Sequence, residues 1–249
     1  HAALPDFWIH AAHQAPMAQA MVFGLLLAHD EVLRGEELMR LAEITDSPTI
    51  DLSLRFHSEA LDRTSAQKIA LIDMVLPTLR SLSVDEYHRF NRAVDALVRS
   101  DSRVDLFEYT LSRMIQRHLA RYFEAAGPTP ERFRSLRKLA PDARTLLSTL
   151  ARVGSRVEQD AERAFRHGAH ALHLDAAVTI LPASECTLAA VDQALDRYDA
   201  ATPTLKRNLM LACAATVMAD DDVTDREAEL IRAIGDALDC PVPPYVQSR

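Results

Sequence analysis

The sequence predicts an all-α fold, a multi-helical array of about a dozen helices. Three observations predict it. Glycine is scarce, 6 among 249 residues. Ala, Leu, Arg and Glu, which lose little on entering a helix, are abundant. Val, Ile and Thr rarely alternate with polar residues in the way a half-buried strand requires. At 48% hydrophobic, the chain can bury a sizeable core as one large domain or two smaller ones.

The elements follow in order. A first helix is expected at 5–14, with Trp8 as its anchor, and a second at 16–29. The second holds the longest apolar run, "MAQAMVFGLLLA", which Gln19 interrupts and which falls short of the roughly 20 residues a membrane-spanning helix needs. A third is expected at 31–45. The fourth, 48–62, starts on "DSPTID", with Ser47 as N-cap and Pro48 at the first helical position. After 65–80, "SVDEY" opens 84–99 with a capping box in which Ser83 and Glu86 each satisfy the other's backbone N–H. A seventh helix spans 105–124. "GPTPERF" repeats the cap-plus-proline device, with Thr129 and Pro130 opening 130–139. The remaining helices are expected at 142–152, 156–173, 185–198, 203–219 and 225–238.

Gly127, Pro128 and Pro130 in "EAAGPTPE" stop one helix and restart another, so the boundary is placed there. This gives an N-terminal half, 1–126, and a C-terminal half, 127–249. Pro241, Pro243 and Pro244 exclude helix from the tail "DCPVPPYVQSR", which is expected to lie extended on the surface. The chain opens on "HAALPDF" without Met and is read as a segment of a longer polypeptide.

A formal charge of -8 argues against nucleic acid as a partner, because phosphate binding needs Lys and Arg that outweigh the acids locally. Cys186, Cys213 and Cys240 are odd in number and widely spaced, which indicates neither a disulfide framework nor a thiolate zinc site.

The chain contains an internal repeat. "LVRSDSRVDLFEYTLSRMIQRHL" aligns on "TVMADDDVTDREAELIRAIGDAL" without a gap when Asp101 is set over Asp220. Val98 then meets Val217, Glu108 meets Glu227, Leu111 meets Leu230, Ile115 meets Ile234 and Leu119 meets Leu238. Each copy reads helix, acidic turn, helix. Thr224 and Glu227 form a T-x-x-E capping box, with Asp105 and Glu108 at the same places in the first copy. Capping leaves Asp101 and Asp220 unexplained, since a carboxylate at a helix C-terminus meets the negative end of the dipole. An Asx-turn or a cation, at Asp101 in the first copy and at Asp220, Asp221 and Asp222 in the second, are the two readings; a calcium EF-hand loop starting at Asp220 is excluded, because its sixth and twelfth places would fall on Asp225 and Ile231.

The turn "ADDDVTDREAEL" resembles the hallmark "D-G-x-(V/I)-(T/S/D)-x-x-E" of the tellurite-resistance TerB-like helical domain, with Asp221 in place of the usual Gly, and "SDSRVDLFEYTL" is a looser copy. The resemblance implies two TerB-like halves. The longer stretches "LPDFWIHAAHQAPMAQAMVFGLLLAHDEVLRGEEL", "LIDMVLPTLRSLSVDEYHRFNRAVDALVRSDSRVDLFEYTLSRMIQRHL" and "KRNLMLACAATVMADDDVTDREAELIRAIGDALDCPVPP" resemble the soluble C-terminal region of bacterial HtpX-like membrane zinc metallopeptidases, metallopeptidase family forty-eight. That resemblance implies a non-catalytic regulatory or protein-interaction domain on the cytoplasmic face of the bacterial inner membrane. Its expected partners are the upstream peptidase domain, the membrane, other proteins or a second copy of itself. The alternative is a divalent-cation-sensing TerB-like stress-response module. Zinc is expected only in the upstream peptidase domain, because an HExxH site needs two His one helical turn apart and this chain contains no "HE" pair.

Other constellations are weaker. "RHGAHALH" places His167 and His170 three apart on one helix, an unusual spacing for a shared zinc. Arg132, Arg134, Arg137 and Lys138 form a basic patch suited to an acidic partner or an anionic membrane surface, diluted by Glu131 and Asp142. No P-loop, GxGxxG, GxSxG or DFG-like run occurs.

Overall fold

A helix starts where something accepts its unpaired N–H groups, and the caps of this chain show it. In the computed structural model, which describes residues 6–98, 106–124, 130–155, 157–220 and 223–240, Asp46, Thr64, Thr187 and Thr224 each accept a backbone N–H of the helix that follows. Asp46 caps the fourth helix by accepting from Thr49 N; the expected cap, Ser47, is its first helical residue and Pro48 its second. At that place the carboxylate both accepts the N–H and meets the positive end of the helix dipole.

Among the described residues there are twelve α-helices: α1 (Asp6–Ala12), α2 (Ala15–Leu26), α3 (Glu31–Ala42), α4 (Ser47–Ala60), α5 (Ser65–Leu79), α6 (Val84–Val98), α7 (Leu106–Phe123), α8 (Ala140–Gly154), α9 (Glu158–Ala171), α10 (Leu188–Asp199), α11 (Pro203–Val217) and α12 (Asp225–Ala237). No strand occurs among them, and no helix is long and apolar enough to cross a membrane. The helix expected at 130–139 is absent. The N–H groups of Arg132 and Phe133 both go to Ala200 O, at 2.8 and 3.1 Å, and Thr202 N donates to Phe133 O at 3.0 Å. This segment therefore runs extended in an isolated parallel bridge, Phe133 with Ala201, before one 3-10 turn at Leu136–Lys138. The guanidinium of Arg197 lies 4.7 Å from the Phe133 ring centroid and donates to Lys138 O and Asp142 Oδ2. Residues 125–129, Thr129 among them, and the tail from Pro241 lie outside the described residues.

The chain divides into two compact units, His1–Gly127 and Pro128–Arg249. In the first, α2 is the central helix, packed on α1, α4, α5, α6 and α7. Its residues from Ala20 to Leu26 are all buried, as expected of a helix that is apolar on every side. α2 lies so close to α4 that a Cβ on Gly24 would fall 2.5 Å from Ser53 O and 2.8 Å from Phe56 Cβ. Trp8 locks α1 onto this pair. Its indole is fully buried, donates to Glu59 Oε2 at 2.9 Å and meets the Phe56 ring edge-on at 4.9 Å.

In the second unit α11 and α8 are the most embedded helices, packed on α9, α10 and α12. Gly168 of α9 allows the approach to α11, since a Cβ there would fall 2.9 Å from Ala212 O. The non-helical stretch between α9 and α10 is strapped to α8 by Arg144 and Arg152, which donate to Thr179 O and Leu181 O, and by Leu181 N, which donates to Ser148 Oγ. The repeat positions Glu108 and Glu227 are both buried, as are Leu111 and Leu230, Ile115 and Ile234, and Leu119 and Leu238.

Candidate functional site

Three parts of the first unit converge on a half-open cleft of about 350 Å³. The exposed end of α2 brings Pro16 and Gln19, and its buried part brings Phe23; the corner from α3 into α4 brings Ile44, Thr45, Asp46 and Thr49; and α6 brings Glu86, Arg89, Phe90 and Ala93. Phe23 and Phe90 stack at 5.5 Å between ring centroids and form an apolar floor. The cleft is ligand-sized, and a few polar groups converge over that floor.

Both carboxylates on its rim are cap residues. Asp46 Oδ1 accepts from Thr49 N at 3.0 Å. Glu86 Oε2 accepts from Ser83 N at 2.8 Å and from Ser83 Oγ at 2.7 Å, while Ser83 Oγ accepts from Glu86 N at 3.3 Å. Bonds from the Thr49 side chain and backbone hold Asp46 below the usual carboxylate range, and bonds from Ser83 do the same for Glu86. Groups so held stay ionised at neutral pH and are poor proton carriers, because general acid–base work favours a pKa near the working pH. They suit binding of positive charge.

The residues singled out in the sequence are scattered. Thr224 and Glu227 form a reciprocal cap: Thr224 N and Oγ1 donate to Glu227 Oε2 at 2.9 and 2.6 Å, and Glu227 N donates to Thr224 Oγ1 at 3.3 Å. The carboxyl of Glu227 lies directly against Gly154 at the end of α8, where only a residue without a Cβ leaves room. Glu108 is buried on α7, and its proposed cap partner Asp105 lies outside the described residues, as do Asp101, Asp221 and Asp222. Asp220 is exposed in a 3-10 turn after α11. His167 and His170 are exposed on α9. Arg132, Arg134, Arg137 and Lys138 are all exposed, on the extended segment and its 3-10 turn rather than on a helix face. Among the described residues, no three His, Cys, Asp or Glu side chains gather as a metal-holding group.

Sequence reasoning missed a buried polar cluster at the α2–α3 corner. Glu37 is 3% exposed and accepts from Ala28 N at 2.8 Å. Burial, which outweighs that bond and the pull of Arg40 and Arg34, raises its carboxyl to about 7. The His57 ring, 7% exposed, donates from Nδ1 to Gly24 O at 3.2 Å, and Arg34 donates to its Nε2 at 3.4 Å. Burial lowers His57 to about 4, with Arg34, His29 and Lys68 adding to the effect. Arg34 also donates to Ala28 O and His29 O. The one available signal was an acid, Glu37, on the inward stripe of α3 beside Leu41. Set against known proteins, the chain matches no family model, no curated protein and no solved structure.

Proposed function

We propose that this chain is a non-catalytic protein-interaction domain, built as two TerB-like halves, that regulates a membrane-bound zinc metallopeptidase of the HtpX-like kind from the cytoplasmic side. The observation that carries the interaction reading is the α2–α4–α6 cleft, whose charged rim stays ionised around an apolar floor and is thereby suited to binding rather than proton transfer. The two halves are supported by the repeat, whose matched glutamates Glu108 and Glu227 are both buried beside matched apolar residues. The regulatory placement rests on the resemblance of the long helical stretches and on the missing "HE" pair. Zinc, in this reading, is held upstream.

A photo-reactive amino acid in place of Gln19, at the cleft rim, tests the reading in cells expressing the full polypeptide. Discrete protein adducts are expected, and Thr45→Trp, which puts an indole into the cleft from its partly exposed wall, is expected to remove them. Adducts that survive Thr45→Trp, or none at all, reject the cleft as the interaction site. Chelator-sensitive proteolysis by the isolated chain rejects the non-catalytic assignment.

A further inference from the structure

The cleft carries more information than its volume. Asp46 and Glu86 stand side by side in the lining of one cleft, and Ser83 takes only Oε2 of Glu86, leaving Oε1 outside that cap. Both groups stay charged because the caps hold them so. Beside them Arg89, one turn along α6 from Glu86, supplies guanidinium donors, and Phe23 and Phe90 supply the floor. A protein segment in extended form matches this arrangement group for group. Its carbonyl oxygens suit Arg89, its aliphatic stems suit the floor, and a terminal positive charge suits the two acids.

Resting on the interaction reading above, we propose that the α2–α4–α6 cleft is a docking site for a protein segment that presents a lysine or arginine side chain, held between Asp46 and Glu86. Charge complementarity selects this occupant: two rim anions against one cation leave a net negative site, which disfavours an acidic segment and gives a neutral one nothing to pair with Asp46 and Glu86. Because the rim is exposed, the attraction is screened, and affinity falls as salt rises.

The two acids are also caps, and two substitutions separate the roles. Asn is as good an N-cap as Asp, and Gln at the third helical position preserves a capping box, so Asp46→Asn and Glu86→Gln remove charge while keeping both helix starts. The probes are end-blocked hexapeptides, identical except for a central lysine, norleucine or glutamate, titrated into the isotope-labelled full chain while backbone amide shifts are followed. The lysine peptide is expected to shift amides around Thr45, Asp46 and Arg89 and to bind about tenfold or more tighter than the norleucine peptide. The Asp46→Asn/Glu86→Gln double variant is expected to lose that preference while its melting temperature stays within about 2 °C of the parent. Equal binding of lysine and norleucine peptides overturns the cation assignment while leaving the cleft an interaction site. Shifts from none of the three peptides reject the interaction reading itself. Binding of n-butylammonium as tight as that of the lysine peptide overturns the assignment to a protein segment.

Discussion

Two glycines of the first unit show how one residue type serves opposite ends. Gly24 sits where α2 and α4 nearly touch, and a methyl there would strike the Ser53 carbonyl oxygen and the Phe56 Cβ, neither of which can swing away. Gly35, in the middle of α3, has nothing within 4 Å of its Cβ position. Gly24→Ala is therefore expected to cost about 1–3 kcal/mol through overpacking of the two backbones. Gly35→Ala is expected to gain up to about 1 kcal/mol, because alanine loses less chain entropy on entering a helix. Urea unfolding at neutral pH reads both, and a destabilised Gly35→Ala would show that something covers this face of α3. Neither outcome could be read from the sequence, where both residues stand in helical stretches and differ only in what a neighbouring helix does.

Elements were legible where local chemistry decides them and illegible where a distant group does. Most helix starts follow caps and prolines visible in the chain, such as Ser83 with Glu86 and Thr224 with Glu227. The 130–139 prediction failed because the N–H groups of Arg132 and Phe133 are taken by Ala200, far along the chain. The cleft was equally hidden, since its walls come from three separated helices. So was the burial of Glu37 on α3 and His57 on α4 against the end of α2, where Glu37 accepts from Ala28 N and His57 donates to Gly24 O, and this burial has a measurable effect. Glu37, with a native value of about 7 against an ordinary 4.5, gives stability that is complete below pH 4.5 and lost as pH rises through 7. His57, about 4 against 6.5, acts in the opposite sense, giving stability complete above pH 6.5 and lost as pH falls through 4. Each amounts to about 3 kcal/mol at full extent, so between pH 4.5 and 6.5 the two trends offset. Burial sets both values; the charged groups around them, Arg34, Arg40, Glu36, His29 and Lys68, adjust them less and are common to the comparison. Stability measured by urea at intervals across that window should be nearly flat for the parent. Glu37→Gln should lose stability as pH falls, and His57→Asn should gain it; parallel slopes in all three proteins would rule the compensation out.

At the scale of the molecule, each of the two units has a core built on embedded helices, α2 in one and α8 with α11 in the other. Units with their own cores unfold on their own, so residues 1–127 and 128–249, expressed separately, are each expected to give helical circular dichroism and a cooperative melt. A piece that stays unfolded while the full chain folds would show that it borrows its stability. Trp8 makes the distinction easy to observe, because it is the only tryptophan in the chain and it is buried against Phe56 beneath the Arg63 guanidinium. Excited at the red edge, where tyrosine is dark, the 249-residue chain emits from the first unit alone. Its emission colour becomes a private report on that unit, and ellipticity, shared by both, supplies the other by difference without any label.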